Sequence, residues 1–224
     1  MPESDFVSVP TPPPEFDLAT WIESVEKLEA HRFAALYPTH FGRVDEPAAH
    51  LSRVKSALQA HAAFVREHPD AWQMGDPAGD ELPWTYITDV DPGNTEDICF
   101  RSESFCGLYA ETALEAEEIS EYLAEAVRFT NEQVWGTLDA VLIVHPQSLK
   151  DEAIARAVDQ GIADLEYGTV LVNTFPGMAY WVSSAPWGSY PGQSIYDIQS
   201  GIGFVTNTFM FEHPVKSVVH GPFL

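Results

Sequence analysis

Two short, unbroken apolar runs limit what this chain can fold into more than any other feature: AVLIV at Ala140–Val144 and GTVLVN at Gly168–Asn173. Each has the length of a strand, and an apolar-patterned segment from about Lys150 to Asp164 fits a helix between them. Upstream, WTYITDV and GLYAET also look like strands. LEAEEISEYLAEAVRF, residues 114–129, forms a helix with Ile119, Leu123, Ala126 and Val127 on one side. KSVVH near the end supplies one more short strand. The alternation of strand and helix predicts an α/β fold, a partial parallel sheet with flanking helices.

The first third has another character. Asp17 is placed to cap a helix whose apolar positions are Leu18, Trp21, Ile22, Val25 and Leu28, a spacing of three and four. Asp45 and Glu46 precede Pro47 at a second helix start, and Leu51, Val54, Leu58 and Val65 continue one face, so a helical hairpin is expected. DPAGDELP breaks both periods. The expected organisation is a mainly helical N-terminal segment at 1–75, a linker at 76–83 and an α/β region at 84–224. Charge divides along the same line, with 6 basic and 11 acidic residues in 1–75 against 5 and 23 in 76–224. No internal repeat is present, and Pro12–Pro14 is too short for a polyproline module.

A formal net charge of -23 repels phosphate backbones and anionic lipid, so neither nucleic acid nor a membrane surface is an expected partner. The opening MPESDFVSVPTPPPEF lacks the basic end and apolar run of a secretory signal, and no segment has the apolar length of a bilayer span. A cytoplasmic location is expected, with Cys99 and Cys106 as reduced thiols. The chain contains no G-x-x-x-x-G-K-[ST], G-x-S-x-G, G-x-G-x-x-G or C-x-x-C.

PPPEFDLATWIESVEKL followed by ALYPTHFGRVDEPAAHL, within about residues 5–70, resembles the C-terminal part of a metallo-β-lactamase-fold hydrolase. The resemblance implies that His40, in the T-H-F-G turn, is a metal ligand. Zinc needs three or four ligands, and the family's H-x-H-x-D-H cluster has no counterpart here. His31, His50, His61 and His68 fall at unrelated spacings on helices or their ends. On this ligand count His40 is a turn histidine and zinc is not expected.

From about residue 82 to 224 the chain resembles the C-terminal third of an NAD(P)-dependent aldehyde dehydrogenase. The matching residues are E-S-F at Glu103–Phe105, AVRFTNEQVWGTLDAVLIVHP, YGTVLVN, PWG at Pro186–Gly188, QSGIG at Gln199–Gly203 and the closing FEHPVKSVV, in family order. The resemblance implies an aldehyde dehydrogenase catalytic-domain-like fold. It also implies cofactor binding, NAD or NADP, through Glu103 to the nicotinamide ribose hydroxyls and Phe105 against the nicotinamide end. The family's catalytic cysteine and base lie upstream of this motif, in sequence this chain lacks. Cys106 is not at the nucleophile position, and Glu103 and Glu111 beside it would raise a thiol's pKa, with Arg101 the one nearby cation. Two departures bear on the substrate tunnel: Ser189–Ile198 lengthens the link to SGIG, and Phe204 stands where many relatives have arginine.

The implied activity is oxidation of an aldehyde to an acid through a thiohemiacetal, by a protein expected to be incomplete and inactive alone. Two alternatives stand beside it. One is a non-enzymatic interaction module, a homo-oligomer or a complex with a partner chain, joined through the C-terminal strand KSVVH. The other is a remnant metal-dependent hydrolase built on His40. Glu115, Glu117, Glu118, Glu121 and Glu125 are expected to form a solvated helix face.

Overall fold

The computed structural model describes residues 16–38, 43–68, 71–76, 79, 81–104, 107–206 and 209–223, and tertiary contacts divide the chain into two units, Met1–Ala113 and Leu114–Leu224. The first unit opens with β1 (Phe16–Asp17) and α1 (Leu18–Glu29). Asp17 caps α1 as expected, its carboxylate accepting from Thr20 N and Thr20 Oγ1, both at 2.9 Å. α2 (Pro47–Glu67) begins at Pro47, whose missing amide hydrogen costs nothing at a helix start. The hairpin forms because the two apolar stripes bury each other: Val25 of α1 packs with Leu51, Leu58 and Ala62 of α2, and Lys55 reaches Glu29 at 2.7 Å.

β2 (Trp72–Met74), β3 (Glu81–Leu82), β4 (Trp84–Ile87), α3 (Ile98–Arg101) and β5 (Leu108–Ala110) complete this unit. Residues 76–83, anticipated as a linker, contain β3, which pairs antiparallel with β1 so that Phe16 lies opposite Leu82. Both side chains join the hairpin core. That pairing ties β3 to the hairpin, and the division between units falls after Ala113, past β5. β2, β4 and β5 form their own three-stranded sheet, antiparallel between β2 and β4 and parallel between β4 and β5.

The second unit holds α4 (Ile119–Gln133), β6 (Asp139–Leu142), a 3₁₀ turn at Ser148–Lys150, α5 (Glu152–Asp164), β7 (Thr169–Val172), α6 (Gly177–Trp181), β8 (Trp187–Gly188), β9 (Phe204–Val205) and β10 (Ser217–His220). The α/β expectation holds at this level: β10, β7 and β6 form a three-stranded parallel sheet in that order. α4 starts five residues later than its sequence pattern suggests, because the stripe that meets the core begins with Leu123 and Val127. Both α4 and α5 cover the face that carries Ala140, Leu142, Val170 and Val172. On the opposite face Leu171 is fully buried, whereas Val141 is 38% exposed. Ile143, just past β6, is 70% exposed.

Three polar devices hold the crossover. Asn173, at φ 55°, turns its side chain back to Val144, accepting from Val144 N at 2.7 Å and donating to Val144 O at 2.9 Å, so the amide extends the ladder past β7. Lys216 Nζ donates to Ile162 O at 2.9 Å, to Ala163 O at 2.7 Å and to Leu165 O, satisfying carbonyls at the C-terminus of α5. Asn131 of α4 donates to Asp164 O and accepts from Glu166 N, each at 2.9 Å. Gly168 has no room for a side chain, since a Cβ there would lie 1.9 Å from Gly188 O.

Two predictions follow from these contacts. The bonds to Thr20 hold the Asp17 carboxyl below its ordinary 3.8, so its contribution is complete above that value and is lost as pH falls through the lowered folded value. Urea midpoints should therefore drop in Asp17→Ala at pH 7, and the gap between wild type and Asp17→Ala should narrow in strong acid, whereas the gap between Asp17→Asn and Asp17→Ala, neither of which titrates at this position, should not change. Asn173→Ala should cost about 2 kcal/mol in denaturant unfolding, from two lost hydrogen bonds and a Cβ-bearing residue left at positive φ without compensation.

Candidate functional site

Glu103 lies on the short connection between α3 and β5. Its position follows from local side-chain bonds. Asp91 closes a turn by accepting from Gly93 N at 2.9 Å, and Asp97 caps α3 by accepting from Cys99 N at 3.0 Å. Ser104 Oγ then donates to Leu108 O at 2.9 Å, which sets the entry to β5. Glu103 is exposed. Phe105 and Cys106 lie outside the described residues, as does His40.

Arg101, the one cation near this motif in sequence, is engaged by Glu96 at 2.7 Å. Cys99, half-buried behind it, is a poor nucleophile: burial and the neighbouring Asp97 carboxylate push its thiol up to about 12. Among the other histidines, His31, His61 and His68 each place Nδ1 against the backbone carbonyl four residues earlier. These carbonyl contacts orient each ring along its own helix. No group of three His, Cys, Asp or Glu side chains able to hold a metal ion occurs among the described residues. No described helix is long and apolar enough to cross a membrane.

In the second unit, burial raises the pKa of Asp139 on β6. The hydroxyls of Thr169 and Ser189 are buried without a hydrogen-bond partner. Asp139 and Thr169 are register partners across β6 and β7. The acidic run is solvated at Glu115, Glu117 and Glu118 before α4 and at Glu121 in its first turn, while Glu125 pairs with Arg128 at 2.5 Å.

The feature that sequence analysis did not single out is the outer face of β2–β4–β5. Strand alternation and register place Trp72, Met74, Trp84, Tyr86 and Tyr109 on one side. Trp72 is 64% exposed and Tyr109 68%. Trp72 meets Tyr86 edge-on at 6.5 Å between centroids, and Tyr86 meets Tyr109 at 5.3 Å. Trp84 lies against Gly107, where a Cβ would come within 3.3 Å of the indole. Tyr86 donates its hydroxyl to the Glu111 carboxylate. The signal was present in WQM and WTYI, where every second residue is large and apolar. Without the pairing, nothing said that this side faces solvent.

No family model matches the chain, and neither a curated protein nor a solved structure does.

At pH 8 a thiol with a pKa of about 12 is ionised to only about one part in ten thousand, so iodoacetamide should label Cys99 far more slowly than a free cysteine peptide. Asp97→Ala should speed the labelling. Mass spectrometry of the peptide containing Cys99 reads both, and labelling as fast as the free peptide would show that Asp97 and burial do not hold the thiol.

Proposed function

We propose that this chain is an aldehyde dehydrogenase-like subunit that is inactive alone and works with a partner chain supplying the coenzyme domain and the nucleophilic cysteine. The observation that carries this is a parallel sheet that, among the described residues, has three strands and a partly exposed face. β10 and β6 are both edge strands, the two helices that pack on the sheet lie on one face, and Val141 and Ile143 are exposed on the other. Parallel sheets are ordinarily covered on both faces, so a surface of this kind suits completion by a second chain. The family motifs in their order along residues 82–224 supply the reaction class.

The residues present do not fit a whole nicotinamide dinucleotide. The exposed Glu103 carboxylate has the chemistry to accept bonds from ribose hydroxyls. The diphosphate has no counterpart: residues 71–113 carry nine acidic side chains and one basic, Arg101, which is paired with Glu96. The partner must therefore provide the phosphate-binding surface. No catalytic step is assigned to this chain's own residues.

The open edge of β10 favours a second reading, an interaction module without catalysis. The Ser217 and Gly221 amides bond inward to the backbone around β7, so the intervening Val218 and His220 amides face away from it and stay open to strand addition.

One experiment separates the two. Aldehyde-dependent reduction of NAD(P)+ is expected to be absent for the isolated chain and to appear on adding the N-terminal two-thirds of an aldehyde dehydrogenase. Glu103→Gln should then raise the KM for the nicotinamide cofactor roughly tenfold or more, the loss of a charge-assisted hydrogen bond. A complex that sediments as one species without activity leaves the interaction module, and no rescue by any complementary chain sinks the dehydrogenase proposal.

A further inference from the structure

The solvent face of β2–β4–β5 has a composition that neither the dehydrogenase nor the hydrolase resemblance uses. Three aromatic rings, Trp72, Tyr86 and Tyr109, run side by side across the three strands in register. Trp84 and Met74, paired in the same register, extend the platform, being 45% and 51% exposed. Gly107, opposite Trp84, keeps this part of the surface flat.

The charge around the platform selects among the ligands that aromatic rings hold. Glu111 lies on the same face as Tyr109, two residues along the chain, and its carboxylate is oriented by the Tyr86 hydroxyl. Residues 71–113 hold nine acidic side chains against one basic. A nucleic acid would stack on the rings but bring phosphates into this field. A sugar would need several polar side chains to orient its hydroxyls, and Glu111 is the one carboxylate bonded on this face. A second copy of the chain would carry another -23 charges. A cation meets both features, because the faces of Trp and Tyr attract ammonium and guanidinium groups, the Glu111 carboxylate lies on the same face, and the acidic net charge attracts cations from further away.

We propose that this aromatic face is a docking surface for a basic segment of another protein, with Arg or Lys side chains seated over Trp72, Tyr86 and Tyr109 and the peptide oriented by Glu111. The surface belongs to the first unit and is independent of the oxidoreductase proposal.

The probe is a synthetic peptide of alternating Arg and Gly, titrated into the full chain by isothermal calorimetry at 50 and 500 mM NaCl, with peptides of alternating Glu and Gly and of Ser and Gly as controls. Saturable binding of the Arg peptide alone is expected, weakened severalfold by salt. Trp72→Ala combined with Tyr109→Ala should weaken it at least tenfold. Tyr109→Leu, which keeps apolar area but removes the ring, should also weaken it, and Glu111→Gln should do so by a smaller factor. Because Trp72 and Tyr109 are largely exposed, far-UV circular dichroism and the urea midpoint should stay at wild-type values. Undiminished binding in the double variant would show that net charge alone attracts the peptide and would overturn the proposal. Equal binding of the Ser peptide, no binding, or self-association that depends on the same two residues would overturn it as well.

Discussion

Parallel strands cannot be joined by a tight turn, so the pairing of β6 with β7 commits the chain to carrying α5 back across the sheet. The rest of the second unit depends on making that crossover possible. α5 buries Val158 and Ile162 against Val170 and Val172, and α4 packs beside it through Val127. The end of α5 then has carbonyls without partners beside the sheet, and Lys216 meets them from just before β10. The same lysine thus links the last strand to the first crossover. Asn173 performs the matching task at the other end of β7, bonding both polar groups of Val144. Gly168 is required for the converse reason, since backbone occupies the place where its side chain would stand.

The first unit is held by a different constraint. The hairpin of α1 and α2 is short of apolar partners on its own, and β1 with β3 completes it by adding Phe16 and Leu82 to the same core. The adjacent sheet buries Thr85 and Ile87 on its inner side. Its outer side keeps tryptophan and tyrosine in contact with water. Exposed rings concentrated on one side of a sheet, with the Glu111 carboxylate beside them, are an arrangement suited to recognition.

Local pattern was a good guide where one residue or one period decides the outcome. Asp17, Pro47 and the two apolar runs each act through near neighbours: a carboxylate three residues before an amide, a ring that tolerates a helix start, a strand too apolar to face solvent. It was a poor guide where distant segments meet. Residues 76–83 look like a linker because Gly79 and Pro83 break both periods, yet Leu82 is partly buried in the hairpin core opposite Phe16, more than sixty residues away. Lys216 reads as an ordinary charge before a strand, and only the fold brings the end of α5 to it. Of the site residues, Glu103 was placed by its motif and is exposed between α3 and β5. The aromatic face was invisible, because it consists of pairings between three strands that no single stretch of sequence contains.

The sequence by itself determined the helices of the hairpin, α4 with α5, the strands of the parallel sheet, the acidic character and the absence of several nucleotide and hydrolase motifs, since these rest on composition and on contacts within a few residues. Tertiary structure decided where the units divide, that both helices cover one face of the parallel sheet, and that Trp72, Tyr86 and Tyr109 form one surface. Those outcomes depend on which strands pair and in which register, a competition among long-range contacts that periodicity does not resolve.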